Sequence, residues 1–189
     1  LGDNFVQEGL VNRITPFTTN KPGAKNFDTE KAYHNIMTRF KFGNLKQKGL
    51  YVDETTMRMC YTHSCLLAQT ALALIAEHKD KKAIDILKKA DVEIPYYNVP
   101  VDYMSGGLDM ARGWLLTGQK AKGEEYLKKV WTNATQYLNY YLSLNADRFA
   151  QAQSDCIRQI MIMQSAAEVA AMVSPKLEAQ YAKQLNALY

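Results

Sequence analysis

Histidine and cysteine are the side chains of this chain that would most readily bind a metal or act as nucleophiles. The histidines are His34, His63 and His78. No two of them have the i, i+4 spacing that places two ligands on one helical face. Cys60 precedes His63 by three residues, but a zinc site would need further ligands from elsewhere. Cys65 and Cys156 complete an odd set without zinc-like spacing. We therefore predict thiols packed in the core, no metal site and no cofactor.

Other groups that could do chemistry are incomplete. Ser64 and Ser105 lack the G-x-S-x-G turn that exposes a catalytic serine. The MSGGLD segment lacks the Lys and the Ser or Thr of a phosphate-binding loop. Asp53 and Glu54 are adjacent carboxylates at a predicted helix start, where a capping role accounts for them. The glycosylation sequon at Asn133 lies on a predicted helix, and we discount it. We predict that this chain is not an enzyme.

Tyrosine is the one residue type in surplus, with 12 copies concentrated in IPYYNVPVDY and QYLNYYLSL. Tyrosines on a concave helical surface can hold peptides or sugars, but they also fill the interfaces between helices. Packing is our preferred interpretation, and binding stays open as the alternative. The candidate binding residues are Tyr96, Tyr97, Tyr103, Tyr137, Tyr140 and Tyr141.

Composition and charge limit the class of protein. Hydrophobic residues make up 47% and charged residues 22% of the 189 residues, which is typical of a globular domain. The formal charge of +4 is spread along the chain, so we predict no nucleic-acid partner. The longest uncharged stretch, 59–76, contains several polar residues, and we interpret it as a buried helix with no membrane span.

The chain divides into an N-terminal extension, 1–52, and a helical region, 53–189. In the extension, a segment without helical period predicts an extended arm, and Asp28 is a candidate cap for a short helix that ends before Gly43. We expect the arm and this helix to pack on the helical region. Asp53 can cap the first long helix of that region.

Three helix pairs are predicted after residue 52. The first runs from Glu54 to about His78 and then through KKAIDILKKA to Pro95. The second begins at Asp102, breaks near Gly118 and continues over 120–144. The third follows the break at 145–147, and Ser174 with Pro175 begins its second helix.

The first pair has the pattern of a tetratricopeptide unit, which is a helical hairpin of about 34 residues with small residues at the crossing. The matching positions are Leu67, Ala71, Leu74, Ala83, Leu87, Ala90 and Pro95. In the second pair the match is partial, at Ala111, Trp114, Gly123 and Leu127. We therefore predict an all-α fold, a tetratricopeptide-like α-α superhelix of about three helix pairs with an N-terminal extended arm and short helix.

Several segments resemble one bacterial family. NFDTEKAYHNIMTRFKFGNL, GLYVDETTMRMC and NFVQEGLVNRITP are similar to the soluble C-terminal region of membrane proteins of domain-of-unknown-function family 2723, also classed as glycosyltransferase family 117. The resemblance implies a polytopic transferase whose catalytic carboxylates lie in a membrane portion outside this chain. The tail's characteristic polar residues correspond to Glu8, Arg13, Asp53, Thr56 and Arg58.

The role of these five residues can be purely structural: Asp53 as a cap, and Arg13 or Arg58 as a partner of Glu8 or Asp53. The resemblance implies a periplasm-facing, non-catalytic accessory domain that docks on the membrane portion of its own parent chain or presents acceptor protein to it. An independent peptide-binding adaptor is the alternative. A third option is a self-contained enzyme that uses the tyrosine-rich segment.

Overall fold

The computed structural model describes residues 4–16 and 27–187, most of which are helical. An antiparallel hairpin comes first, with strands β1 (Phe5–Gln7) and β2 (Asn12–Ile14). The helices follow as α1 (Thr29–Thr38), α2 (Glu54–Ala76), α3 (Asp80–Glu93), α4 (Gly107–Leu116), α5 (Lys120–Leu142), α6 (Ala146–Ala171) and α7 (Pro175–Asn186). The predicted all-α class is confirmed, and the described part of the predicted arm forms the hairpin. Residues 17–26 of that arm lie outside the described ranges.

Side-chain caps determine where several helices begin. Asp28, Asp53 and Ser174 each accept hydrogen bonds from backbone N–H groups of the following turn, at 3.0 to 3.2 Å. Pro175 occupies the first turn of α7, where its missing N–H costs nothing. All three predicted caps are confirmed. A cap can be predicted from sequence because it depends only on residues close to one another along the chain. Each is worth about 1 kcal/mol to its helix.

The start of α4 differs from the prediction, which was wrong in beginning this helix at Asp102. Asp102 and Ser105 instead close a turn: the Ser105 N–H donates to Asp102 Oδ1, and the Asp102 N–H donates to Ser105 Oγ, each at 2.9 Å. Gly106 then has φ +69°, a left-handed conformation that a glycine adopts without strain. The helix therefore begins at Gly107, five residues later than expected.

The chain forms two compact units, Leu1–Pro100 and Val101–Tyr189. The first contains the hairpin and α1 to α3, and the second contains α4 to α7. The boundary expected after residue 52 falls inside the first unit, where it separates the hairpin and α1 from the α2–α3 pair.

In the first unit, α1 packs against both helices of the α2–α3 pair. The positions that matched the repeat pattern are buried: Leu67, Ala71, Leu74, Ala83, Leu87 and Ala90. Alanines at a helix crossing let the two backbones approach, and the leucines between them fill the remaining space. The sequence pattern of this pair thus corresponds to its core.

A second cluster of the first unit lies beneath the loop 43–52. Leu45 packs with Cys60, Ile94 and Val99. Asn98, itself buried, donates from Nδ2 to the carbonyl oxygens of Leu45 at 2.6 Å and of Gln47 at 2.7 Å. These bonds satisfy carbonyl groups that the loop cannot pair within itself, so the loop is held against the helix pair.

In the second unit, α6 packs against α4, α5 and α7. Where α4 and α5 cross, a Cβ added to Gly123 would lie 2.5 Å from the Leu115 side chain, so any larger residue there would displace Leu115. Leu127 and Ala111 are fully buried beside this crossing. Trp131 of α5 stacks on Tyr181 of α7 with ring centroids 3.9 Å apart. The contacts of α6 and the Trp131–Tyr181 stack therefore connect all four helices of this unit.

Within the described residues, one helix is long and apolar enough to cross a bilayer by length and composition alone. It is α2, with a mean hydropathy of 1.3 over an 18-residue window of which 44% is buried. Core helices of soluble proteins pass the same test. In this structure α2 packs against α1 and α3.

Candidate functional site: the tyrosine groove

The cysteines and histidines do not assemble into a reactive centre in the described residues. No group of three or more His, Cys, Asp or Glu side chains there is placed to hold a metal ion. Cys60 and His63 line the same cavity, but burial raises the pKa of the Cys60 thiol, which keeps it protonated and poorly nucleophilic. Burial likewise raises the pKa of Cys156. None of the three cysteines forms a disulfide bond with another described residue.

The serine and glycine candidates have structural roles. Ser64 is buried in α2. Ser105 forms the turn before α4, where its hydroxyl also donates to the Asp102 carbonyl oxygen. A Cβ at Gly107 would lie 2.6 Å from Val130 Cγ2 and 2.7 Å from that carbonyl oxygen. The two glycines of MSGGLD therefore allow α4 to start tightly against α5.

The polar residues that carried the family resemblance form two local networks in the first unit. Glu8 accepts hydrogen bonds from Arg13 and, at 2.9 Å, from Lys31 of α1, so it ties the hairpin to that helix. The pKa of Glu8 is lowered, chiefly by the Lys31 bond and then by the Arg13 bond. The predicted Glu8–Arg13 pairing is thus present.

The second network, at the start of α2, differs in one respect from the pairing suggested by the sequence. The Asp53 carboxylate accepts from the Thr56 hydroxyl and backbone, and the hydroxyl bond is the main cause of its lowered pKa. Arg58 pairs with Glu54, one helical turn before it. The suggested pairing of Arg58 with Glu8 or Asp53 is not formed, because the i, i+4 neighbour is nearer and the Asp53 oxygens already hold the cap.

The six candidate tyrosines separate into two sets. Tyr96 and Tyr97 belong to the first unit, where their rings meet edge to face at 5.9 Å. The Tyr97 hydroxyl donates to the Lys46 carbonyl oxygen at 2.7 Å and so helps to hold the loop 43–52. Neither ring belongs to the lining of the cavities around Tyr103, Phe42 or Trp131. Tyr97 therefore has a hydrogen bond that supports the fold.

Tyr103, Tyr137 and Tyr141 lie together in the second unit, where they line a cavity of about 230 Å³. Tyr140 does not line it, but its ring stands edge-on to Tyr141 at 5.5 Å. None of these four hydroxyls has a hydrogen-bond partner among the residues that the structure describes. We call this cavity the tyrosine groove. Unpaired hydroxyls beside partly exposed rings leave both polar and aromatic contacts available to a ligand.

The remaining lining of the tyrosine groove comes from three elements. Asp102 belongs to the turn before α4, Asn133 to α5, and Asp155, Arg158 and Gln159 to α6. Asp155 and Arg158 form an ion pair at 3.4 Å. The pKa of Tyr141 is raised, first by burial and then by the Asp155 charge. The groove therefore combines aromatic faces, carboxylates, one guanidinium group and two carboxamides.

Sequence reasoning missed the contribution of α6. Asp155, Arg158, Gln159 and Ile162 follow the i, i+3, i+4, i+7 spacing of one helical face, which marks a shared surface but does not say what it faces. Asn133, discounted as a sequon, also lies in the groove. Only the packing of α6 on α5 joins these residues to the tyrosines.

Two further cavities lie in the described part of the chain. In the first unit, Phe42, Leu50 and Met59 help to enclose an apolar cavity of about 260 Å³ that Cys60 and His63 also line. In the second unit, a broad groove of about 700 Å³ between α5 and α7 has Gln136, Asn139, Gln180 and Gln184 along its sides and the Trp131–Tyr181 stack in its lining. Neither cavity brings together acid, base and nucleophile.

Fold and site define this protein as a mostly helical molecule of packed helix pairs with an aromatic groove. The chain matches no protein-family model, and comparison with curated proteins and with solved structures finds no significant similarity.

Proposed function

We propose that this chain is a non-catalytic interaction domain that holds a polypeptide segment in the tyrosine groove. The observation that carries this proposal is the convergence of Tyr103, Tyr137 and Tyr141 on one groove, with hydroxyls that have no hydrogen-bond partner among the described residues. Asn133 and Gln159 in the same lining offer donors and acceptors that suit a peptide main chain. Tyrosine contributes large contact area at low entropic cost, which suits a binding surface.

A tetratricopeptide-like stacking of the helix pairs is part of the proposal. It is supported by the burial of the small and leucine positions of α2 and α3, and by the contacts of α6 with both helices of the preceding pair. One hairpin cannot bury both of its faces, so stacked pairs complete each other's core. Such scaffolds present side chains from successive helices on one surface, as the groove requires.

The parent protein that we propose is a polytopic membrane glycosyltransferase, with this domain on the periplasmic side of a bacterial inner membrane. Support comes from the family resemblance and from the structural roles found for the serines, cysteines and glycines. The domain would dock on the membrane portion of its own parent chain or present acceptor protein to it. Several apolar segments of about 20 residues elsewhere in the parent reading frame are expected. Their absence would favour the independent adaptor.

Peptide display on the intact chain tests the binding function. We expect enriched peptides to bind the wild type and to lose about tenfold or more in affinity with Tyr137→Ala plus Tyr141→Ala, since aromatic anchors dominate such interfaces. Tyr51→Ala is the matched control, because Tyr51 is 88% exposed and lies outside the groove. Failure to enrich any peptide, or equal binding by the double variant, would overturn the proposal.

A turnover assay tests whether the domain is catalytic. The purified chain, offered lipid-linked or nucleotide sugar donors, is expected to turn none of them over. A measurable rate that a single substitution in the groove, such as Asp155→Asn, abolishes would show that the domain is an enzyme after all.

A further inference from the structure

The charges of the tyrosine groove are unbalanced. Its lining carries two carboxylates, Asp102 and Asp155, against one guanidinium, Arg158. Asp102 is occupied by the turn before α4, where its Oδ1 accepts the Ser105 N–H at 2.9 Å. Asp155 has Arg158 as its one ion-pair partner among the described residues. Asp155 is therefore the carboxylate that a ligand can engage.

The Asp155–Arg158 pair is weakly held. Its N–O distance of 3.4 Å is longer than that of a charge-assisted hydrogen bond, and the two side chains are 45% and 56% exposed. Exposed ion pairs one helical turn apart contribute little to stability. A cation delivered by a ligand can thus replace Arg158 beside Asp155 at small cost, while Arg158 turns into solvent.

The aromatic part of the groove also suits a cation. Tyr137 and Tyr141 stand one turn apart on α5, with ring centroids 6.3 Å apart and planes inclined by 21°. Tyr103 lines the same cavity. Aromatic ring faces attract ammonium and guanidinium groups. The volume of about 230 Å³ is below that of typical small-molecule sites, so it fits one side chain better than a whole ligand of drug size.

We propose that the tyrosine groove selects a polypeptide segment with a basic side chain, Lys or Arg, which lies against Tyr137 and Tyr141 and pairs with Asp155. Without a ligand, Arg158 pairs with that carboxylate, so it competes with the basic side chain of the ligand. This inference rests on the proposed function, because it names the chemistry of the segment that the groove holds. It makes the groove selective for charge as well as for aromatic contact.

The test uses the intact chain and short capped peptides that differ only in one central residue, which is Lys, Arg, Gln or Glu. Binding is followed by chemical-shift changes of the tyrosine rings, with Tyr51 as an internal reference. The Lys and Arg peptides are expected to bind about fivefold more tightly than the Gln peptide, and the Glu peptide more weakly than Gln. Equal binding of Lys and Gln peptides in the groove overturns this inference but leaves the proposed function standing. No shift from any peptide overturns both.

Two substitutions sharpen the result. Asp155→Asn should remove the preference for Lys over Gln, whereas Arg158→Gln should raise affinity for the Lys peptide about threefold by removing the competitor. Asp109 and Arg112 form a similar exposed pair on α4 at 3.7 Å, outside the groove lining. Asp109→Asn and Arg112→Gln are therefore matched controls, expected to change neither affinity nor preference. A Lys preference that survives Asp155→Asn, or weaker binding after Arg158→Gln, contradicts the assignment.

Discussion

The α2–α3 pair of the first unit and the α4–α5 pair of the second unit both bury small residues where their helices meet, but they differ in what surrounds them. The first is covered by α1 and by the loop 43–52, which Asn98 and Tyr97 hold through main-chain carbonyl groups. In the second, α5 carries tyrosines into a groove where their hydroxyls have no partner in the described residues. A tyrosine whose hydroxyl is paired supports the fold, and one left unpaired beside a cavity is available for binding.

Matched core substitutions test whether the two helix pairs are equally well packed. Leu87→Ala in α3 and Leu127→Ala in α5 each remove a fully buried side chain. Both should lower the free energy of unfolding by about 2–5 kcal/mol, from lost transfer energy and the cavity left behind. Urea titration followed by circular dichroism measures both. Trp114 and Trp131 are the chain's two tryptophans and lie in α4 and α5, so their fluorescence reports on Leu127→Ala directly. A loss below about 1 kcal/mol at either site would show that its crossing is not tightly packed.

The loop 43–52, which covers the α2–α3 pair, is held in place by Asn98. Asn98→Ala leaves the Leu45 and Gln47 carbonyl groups without their donor and should cost about 1–3 kcal/mol in the free energy of unfolding. The control is Asn139→Ala on α5, whose exposed carboxamide has no partner in the described part of the chain and should change stability by less than about 0.5 kcal/mol. Equal effects of the two substitutions would contradict the role given to the loop.

Removing single hydroxyl groups sharpens the distinction between the tyrosines. Tyr97→Phe loses the 2.7 Å bond to the Lys46 carbonyl oxygen and should destabilise the chain by about 0.5–1 kcal/mol. Tyr137→Phe loses no bond to a described residue and should leave stability unchanged. Thermal unfolding of the two variants beside the wild type measures the difference. A destabilised Tyr137→Phe would mean that this hydroxyl supports the fold.

Acid should weaken the ion pairs that Glu30 of α1 forms with Lys79 and Lys82. Hydrogen bonds from Lys79 and then Lys82 lower the pKa of Glu30 from 4.5 to about 2. Because the folded pKa is depressed, the stabilisation is complete above pH 4.5 and is lost as pH falls towards 2. The difference in melting temperature between wild type and Glu30→Gln should therefore shrink over that interval. High salt at neutral pH should also reduce it, since Glu30 is exposed and both lysines are partly exposed. A difference that is independent of pH would rule out the ion pairs as its cause.

Local patterns in the sequence were sufficient for the helices and for most of their ends. Asp28, Asp53 and Ser174 cap helices because each needs only the N–H groups of its own next turn. The buried positions of α2 and α3 follow from their helical spacing. The start of α4 was missed because Asp102 has the same short-range chemistry in a turn as at a cap, and Gly106 decides between them only through its left-handed backbone.

Sequence alone thus determined that this protein is helical, where most helices begin and which small residues lie at a crossing, because these properties depend on neighbours within one or two turns. Tertiary structure decided what surrounds each of the six candidate tyrosines. The partner of Tyr97 lies 51 residues away in the loop 43–52, and the charges beside Tyr141 come from α6. Hydrogen-bond partners and groove walls supplied by distant segments leave no periodic trace in the sequence, so only the packed chain separates the supporting tyrosines from those of the groove.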